Sequence, residues 1–244
     1  MNILETRSLT KRYGGVKALD GLSVSIQKGL ITGIVGPNGS GKSTLVNVLT
    51  GMAQFNSGVV VLDEKLRLSE LKAYDVPVYG IARTFQEVRL FNQMTVLDNI
   101  LITFTERGVF AALFEKHTAL HEERARGLLE KVHLWHKRHE LAGNLSYGQR
   151  KLLEVARALA MNTEIVLFDE PFAGLFPEII KIVVGLLNEL RAKGKTVVLI
   201  EHNMPLIQEL CDELLVLDSG TYLAGGKPEE VLRMRSVRDA YLGE

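Results

Sequence analysis

Residues 36–44 read Gly36-Pro37-Asn38-Gly39-Ser40-Gly41-Lys42-Ser43-Thr44. An apolar run over 30–35 precedes this stretch, and the apolar residues at 45–49 have the spacing of a buried helix face. The order of strand, glycine loop and helix is the context that the pattern G-x-x-x-x-G-K-S/T requires. Glycines let backbone N–H groups turn inward around a phosphate, and the helix adds its positive N-terminal end. We therefore predict a loop that binds a nucleoside triphosphate, with Lys42 on the β- and γ-phosphates and the Ser43 hydroxyl on Mg²⁺.

The composition limits the classes of protein that fit. The chain has 244 residues, with 29 Lys and Arg against 29 Asp and Glu, so its formal charge is zero. A neutral chain gives no support to a nucleic-acid-binding surface, and we expect no nucleic acid among its partners. The single cysteine, Cys211, excludes an intrachain disulfide and fits a reducing compartment. No membrane span or signal peptide is evident, so we expect a cytoplasmic protein unless a partner recruits it to a membrane.

The order of apolar and alternating segments predicts an α/β fold. Residues 3–9 and 16–26 alternate apolar and polar side chains, as antiparallel strands with one exposed face do. Three apolar strands, at 31–35, 165–168 and 196–200, have the pattern of a parallel sheet covered by helices on both faces. We therefore predict a P-loop NTPase core with a mixed, mainly parallel sheet and an N-terminal antiparallel β subdomain.

Residues 87–161 differ from the rest because their apolar spacing is helical and no strand pattern interrupts it. We interpret them as a helical insert subdomain of a single domain, 1–244, whose core comprises 1–86 and 162–244. A short helix is predicted over 69–74. Outside the strands of the main sheet, the pattern further predicts helices at 95–103, 118–132, 147–160, 178–193 and from Pro228 onward, and a hairpin formed by 214–217 and 222–224.

Two carboxylates follow the apolar strand that ends at Phe168. Ligands of parallel α/β sheets bind at the carboxyl ends of the strands, so Asp169 is expected beside the phosphate loop, where it can hold Mg²⁺ directly or through water. Glu170 points in a different direction and can take a proton from an attacking water. The alternative is a solvated acidic pair at a strand end. The phosphate loop upstream favours the chemical interpretation.

A second helix start suited to an anion lies in the helical segment. Residues 144–150 read Asn144-Leu145-Ser146-Tyr147-Gly148-Gln149-Arg150 and open the helix predicted at 147–160. Ser146 is a natural N-cap, and Gly148 allows another backbone to approach closely. A capped helix without a ligand is the alternative interpretation.

Together these motifs resemble the ATP-binding subunit of an ATP-binding-cassette (ABC) transporter. The resemblance rests on Gly36–Thr44, Leu145–Gln149, the Asp169-Glu170 pair, Gln86 and His202, and their order covers essentially the whole chain. The pentapeptide is similar to the family signature Leu-Ser-Gly-Gly-Gln, which separates this family from other phosphate-loop ATPases.

The resemblance implies an ATPase that works as a head-to-tail pair of subunits. Each ATP then lies between the Gly36–Thr44 loop of one subunit and the Ser146–Gly148 turn of the other, and the second subunit is either another copy of this chain or a related ATP-binding subunit. Gln86 contacts Mg²⁺ and the attacking water, and His202 holds the γ-phosphate and positions that water. The catalytic residues that the resemblance implies are Lys42, Gln86, Glu170 and His202, and the implied metal ligands are Ser43, Gln86 and Asp169. The implied nucleotide-binding residues are Tyr13, which stacks on adenine, and Gly36, Pro37, Asn38, Gly39, Ser40, Gly41, Lys42, Ser43, Thr44, Ser146, Gly148 and Gln149.

Several residues depart from the family pattern or have a second interpretation. Tyr147 replaces the first signature glycine, and we expect it to be tolerated. Phe176 stands in the cross-dimer loop, where the family usually has Asn or Asp, and this leaves coupling between the two sites open. Tyr13 can also be an ordinary strand-end tyrosine. The histidines at 117, 121, 133, 136 and 139 are interpreted as a solvated helical surface rather than as zinc ligands.

Residues 80–91, 144–159 and 238–244 are similar to the ATPases of branched-chain amino-acid importers. This resemblance implies separate transmembrane permease subunits, a periplasmic or extracellular solute-binding protein, and a place on the inner face of the membrane. An apolar patch after Gln86 can then accept a short permease helix, although core packing also explains some of its residues. The patch consists of Val88, Leu90, Phe91, Met94, Val96 and Leu97.

Other functions remain open from the sequence. Importers of urea or short-chain amides share much of the pattern. A soluble cassette ATPase that acts on DNA or the ribosome is a different class, which the neutral charge and the single cassette disfavour. A non-hydrolysing binding subunit is a third class, in which Glu170 or His202 is expected to be lost.

Overall fold

The computed structural model describes residues 1–104 and 119–242, apart from the side chain of residue 242. The chain divides into two compact units. The first unit comprises Met1–Arg83, Glu164–Glu170 and Leu187–Glu244, and the second comprises Thr84–Thr163 and Pro171–Leu186. The interpretation of 87–161 as a subdomain inserted in a single cassette domain stays a prediction.

The strands of the described residues, in chain order, are β1 (Asn2–Tyr13), β2 (Val16–Gln27), β3 (Ile31–Val35), β4 (Ser57–Leu62), β5 (Leu66–Leu68), β6 (Ile81–Arg83), β7 (Ile165–Asp169), β8 (Thr196–Ile200), β9 (Glu213–Asp218) and β10 (Thr221–Gly226). The helices are α1 (Lys42–Leu49), α2 (Val96–Leu101), α3 (Ala119–Lys131), α4 (Tyr147–Ala160), α5 (Pro177–Ala192), α6 (Met204–Leu210), α7 (Pro228–Val231) and α8 (Arg235–Leu242). None of the described helices combines the length and the apolar composition that a membrane crossing requires.

The first unit contains an antiparallel sheet in the order β2-β1-β4-β5. Strands β1 and β2 pair along most of their length. Their fully buried residues include Leu4, Leu9, Leu22 and Ile26. The alternation of buried and exposed residues along β2 gives one face to the core and one to solvent. The predicted N-terminal antiparallel subdomain is therefore confirmed.

A second sheet of the first unit has the strand order β10-β9-β3-β8-β7-β6. All neighbouring pairs are parallel except β9 and β10, which form the predicted hairpin. Every residue of β3, β7 and β8 is buried, as their mostly apolar sequences predict, and the polar residues Thr32, Asp169 and Thr196 are buried with them. Ile200 of β8 is in register with both Ile34 of β3 and Asp169 of β7, so the carboxyl ends of these strands lie along one edge. The mixed, mainly parallel sheet is confirmed.

The short helix predicted over 69–74 is wrong. Residues 73–80 form turns, with Asp75 N donating to Lys72 O, Val78 N to Asp75 O and Gly80 N to Pro77 O. A proline disfavours helical backbone at the preceding residue and lacks an N–H donor, and a segment this short has little intrinsic helix stability. These turns lead into the short strand β6, which the sequence pattern did not reveal.

The single cysteine illustrates how tightly the core of the first unit is packed. Cys211 caps the C-terminal end of α6, and a Cβ added at Gly33 of β3 would lie 2.9 Å from its Sγ. Burial raises the pKa of the Cys211 thiol to about 12.

Because the thiolate is the reactive form, we expect native protein to resist alkylation by iodoacetamide at about pH 8 and the guanidinium-unfolded protein to react rapidly. The check is mass spectrometry of the alkylated protein over time. Equal labelling rates for the native and unfolded protein would contradict this expectation.

Candidate nucleotide-binding site

The phosphate loop wraps around its own lysine. Lys42 Nζ donates to Gly36 O at 2.7 Å and to Pro37 O at 2.9 Å, and it lies 3.4 Å from Ser40 Oγ. A Cβ added at Gly36 would lie 2.1 Å from Leu217 O, so only glycine fits there. The buried ammonium is thus held at the centre of a loop whose Asn38 and Gly39 are exposed.

Helix α1 begins at this loop with an N-terminus that no side chain of the described residues caps. Its N-cap, Gly41, has φ +102°, and a Cβ there would lie 2.6 Å from Ala18 O. The N–H groups of a helix's first turn have no partner within the helix, and they attract anions. Ser43 is exposed in that turn and Thr44 is half-buried, so the Ser43 hydroxyl is accessible to a ligand at the start of the helix.

Asp169, at the end of β7, is held by an arginine. Its Oδ2 lies 2.7 Å from Arg83 Nη2, and both side chains are less than a tenth exposed. Arg83 Nη1 also donates to Asn47 Oδ1 of α1 at 2.8 Å and to Thr50 Oγ1 at 3.0 Å. The pair therefore connects β6, β7 and the helix that follows the phosphate loop.

Sequence reasoning missed Arg83. Its signal is weak, since it is one basic residue that follows two buried apolar residues, Ile81 and Ala82. A buried arginine normally needs an acidic partner, but the sequence does not say which one.

Glu170 and His202 come together at the same edge of the sheet. Glu170 Oε1 lies 3.4 Å from His202 Nε2, and both side chains are partly exposed. Glu170 has φ +46°, which is uncommon for a residue other than glycine, and its N–H donates to Ile200 O at 3.0 Å. The buried carboxylate of Glu201 accepts from the backbone N of His202 at 3.1 Å, which holds the histidine's backbone in place.

Tyr13 lies at the end of β1, opposite Val16 of β2. Its ring is half exposed, and Lys11 Nζ lies 4.7 Å from the ring centroid. An exposed aromatic ring beside a cation can accept a further stacking partner, but the stacking role itself stays a prediction.

In the second unit, Ser146 caps α4. Its Oγ accepts from Gln149 N at 3.3 Å, and Gln149 Oε1 accepts from Ser146 N at 3.1 Å, which forms a capping box. A serine hydroxyl that accepts one hydrogen bond can still donate one, so this cap does not exclude an anion. A Cβ at Gly148 would lie 3.3 Å from Cγ1 of the Ile179 side chain, so the nearest neighbours of this glycine are side-chain atoms, and the close approach of another backbone stays a prediction.

The two residues that depart from the family pattern are both exposed. They are Tyr147 in the signature and Phe176 in the cross-dimer loop. Tyr147 is 41% exposed, and its hydroxyl donates to Ala173 O at 3.3 Å. Phe176 is 76% exposed, which is unusual for a large apolar side chain.

Gln86 lies in the second unit, in an irregular segment before α2, and it is exposed. In the apolar patch that follows it, Phe91 is 47% exposed and Val88, Leu90, Met94 and Leu97 are half-buried. Val96 is wholly buried, so it belongs to the core, as the sequence allows for some of these residues. Of the histidines, His117 lies outside the described residues, and His121 packs against the Phe104 ring with 5.5 Å between centroids.

The comparisons with known proteins agree with this geometry. The model of the ABC transporter family matches residues 19–173, which is more than half of the chain. A relative from Methanocaldococcus jannaschii, named a probable branched-chain amino acid transport ATP-binding protein, is 40% identical over 254 residues that cover 100% of this chain and 98% of the relative. The chain belongs to the ABC transporter family. It is an ATP-binding cassette subunit and an ATPase.

Two solved cassettes extend the comparison. The ADP conformation of an ATP-binding cassette of an ABC transporter is 38% identical to this cassette, with a TM-score of 0.86 and all of both chains covered. A dimeric cassette bound to ADP and phosphate after hydrolysis is 27% identical, with a TM-score of 0.80 and coverage of 93% of this chain and 99% of that one. The fold and the capacity to bind ATP are therefore those of the family.

Proposed function

We propose that this cassette dimerises head to tail around two ATP molecules and drives the import of branched-chain amino acids through separate permease subunits. The observation that carries the dimer is that one chain has two anion-suited helix starts, at α1 and α4, but a single phosphate loop. The two helix starts belong to different units of the chain. A second copy gives each start a nucleotide, because the loop of one subunit then faces the Ser146–Gly148 turn of the other.

In this proposal, each candidate site residue has a chemical role. Lys42 and the first turn of α1 bind the β- and γ-phosphates. Glu170 accepts the proton of the attacking water, and His202, 3.4 Å from it, donates to the γ-phosphate and orients that water. Gln86 contacts the same water, Tyr13 stacks on adenine, and the Ser146 hydroxyl donates to the γ-phosphate from the partner copy.

The three residues that the sequence implies as Mg²⁺ ligands all carry oxygen donors. Ser43 offers an exposed hydroxyl oxygen, Asp169 a carboxylate and Gln86 an amide oxygen, and Mg²⁺ prefers such oxygen ligands. When bound, the ion offsets the negative charge of the phosphate oxygens.

The relatives' names support the proposed cargo, since a relative that covers the whole chain is named for branched-chain amino acid transport. The complex then includes transmembrane permease subunits and a periplasmic or extracellular solute-binding protein. The cassette sits on the inner face of the membrane through the permeases, as a single domain with a helical subdomain at 87–161.

Reconstitution tests this function. The cassette is combined with candidate permeases and binding proteins in liposomes, and ATP-dependent uptake of radiolabelled leucine, isoleucine and valine is measured against urea and acetamide. Uptake of the three amino acids alone supports the proposal. Uptake of urea or acetamide in their place contradicts the cargo, and ATP-dependent uptake by the permeases without the cassette contradicts its role.

We expect Phe91→Ala to lower leucine uptake in the reconstituted complex by at least about tenfold and to leave the ATPase rate of the isolated cassette within about twofold. Phe91 is the one aromatic residue of the proposed docking patch and is 47% exposed, and aromatic anchors contribute strongly to interfaces. Leu120→Ala, a change at an apolar residue of α3 that is 62% exposed, is the matched control and should transport normally. Full transport by Phe91→Ala would remove this residue from the docking surface.

A further inference from the structure

The backbone around Gln86 is held by side chains rather than by a sheet or a helix. Residues 84–90 have no regular secondary structure. Lys151 Nζ donates to Phe85 O at 2.6 Å and to Gln86 O at 3.1 Å. Glu154 Oε1 accepts from Phe85 N and from Arg89 N, both at 3.2 Å. The Lys151 and Glu154 side chains therefore satisfy four main-chain groups, which belong to Phe85, Gln86 and Arg89.

These two side chains are buried ions. The Lys151 side chain is not exposed at all and that of Glu154 is 5% exposed, with 3.5 Å between Nζ and Oε2. Burial raises the pKa of the Glu154 carboxyl, and the Lys151 ammonium and the two backbone N–H donors oppose this shift. A buried ion pair is weak evidence for stabilisation, because the cost of removing charge from water is comparable to the attraction gained. Simple stabilisation of the helical unit is therefore a poor explanation of the pair.

Both residues stand on α4, one helical turn apart. The same helix begins at Ser146, the residue that our proposed function places against the partner's ATP. A displacement of α4 is passed directly to the backbone of 85–89 through four hydrogen bonds. The side chain of Gln86, which is itself exposed, follows the backbone that carries it.

We propose that Lys151 and Glu154 are positioning residues, which fix Gln86 to the Ser146 helix so that the state of one composite site reaches the catalytic water of the other. This inference rests on the proposed role of Gln86. Both side chains are buried against the backbone of 85–89, so their effect on turnover is expected to pass through Gln86.

The first test is a double-mutant cycle on the full cassette. The variant Lys151→Met/Glu154→Leu removes both charges together, which avoids leaving one buried ion unpaired. We expect kcat to fall by about tenfold to a hundredfold, since small misplacements of a catalytic group are that costly, and KM for ATP to change by less than about threefold. In a Gln86→Ala background, the same pair of changes should alter kcat by less than about twofold.

The matched control is Lys137→Met/Glu140→Leu, which removes an i,i+3 pair whose side chains are 24% and 46% exposed in the same unit. It should leave kcat within about twofold of the wild type in either background. Lys151→Arg keeps the charge and the donors, and it should retain most of the wild-type kcat.

Amide hydrogen exchange gives a readout that needs no turnover. In Lys151→Met/Glu154→Leu, exchange at the Phe85 and Arg89 amides should accelerate by at least about tenfold, because their acceptor is gone. The Asn99 amide, which donates to Thr95 O in α2, should exchange as in the wild type and thereby report an intact unit.

The outcomes are distinct. Unchanged exchange at Phe85 and Arg89, or an effect on kcat that is the same with and without Gln86, overturns the inference and leaves the proposed function standing. Wild-type turnover by Gln86→Ala alone overturns the proposed role of Gln86, and the inference fails with it.

Discussion

Glu170→Gln is expected to lower the rate of ATP hydrolysis by about 10²–10⁴-fold, because glutamine keeps the shape of the side chain but cannot accept a proton. The carboxylate lies where a general base is needed. It follows the last residue of β7, at the same edge of the sheet as the phosphate loop, and 3.4 Å from His202 Nε2. Glu170 has an uncommon φ of +46°, and its side chain is 21% exposed whereas that of Asp169 is 6% exposed.

Binding should survive this change. Glu170 is not among the residues of the phosphate loop, so the affinity for ATP with Mg²⁺ should stay within about threefold of the wild type. Slow hydrolysis with intact binding should trap the dimer, visible as a doubled mass by light scattering in ATP and a single-subunit mass without it. Glu209→Gln, at an exposed acid on α6, is the control for loss of charge. A Glu170→Gln monomer that hydrolyses ATP normally would contradict both the general base and the composite site.

Local signals explain why most of the fold could be predicted. The apolar runs of β3, β7 and β8 indicate strands buried on both faces, and the structure has all three fully buried. Helix α4 covers 147–160 as predicted, because Ser146 and Gln149 form a capping box that marks its start in the sequence. Where such a marker was missing, the prediction failed. The segment 69–74 begins with Ser69, a possible N-cap, but it lacks both the Glu or Gln that would complete a capping box and a sustained apolar face.

The candidate site is only partly visible in the sequence, for a physical reason. Lys42 contacts groups that lie within six residues of it, so a short motif describes its surroundings. The partners of Asp169 and Gln86 are distant in sequence, since Arg83 is 86 residues from Asp169 and Lys151 is 65 residues from Gln86. Pattern and periodicity report local structure, whereas these pairings depend on how strands and helices pack. Buried arginine and lysine side chains are a signal only once the core is known.

Arg83→Leu is expected to lower the free energy of unfolding by about 3–5 kcal/mol, since it leaves the Asp169 carboxylate buried without its cation. The guanidinium is 2.7 Å from Asp169 Oδ2, and it also bonds Asn47 and Thr50, so three polar side chains lose a donor at once. The measurement is equilibrium unfolding in urea, compared with Arg235→Leu, whose ion pair with Asp239 is exposed and whose loss should leave the midpoint unchanged.

A second substitution separates the charge from the packing. Arg83→Leu/Asp169→Asn removes both charges, and we expect it to recover about 1–3 kcal/mol of the loss, because a neutral amide costs less to bury than an unpaired carboxylate. Its affinity for Mn²⁺ with ATP, measured by electron paramagnetic resonance, should nevertheless fall, since Asp169 is a proposed metal ligand. If Arg83→Leu alone is as stable as the wild type, the pair does not hold β6, β7 and α1 together. The orientation of Asp169 must then be set by the backbone of β7 rather than by the arginine.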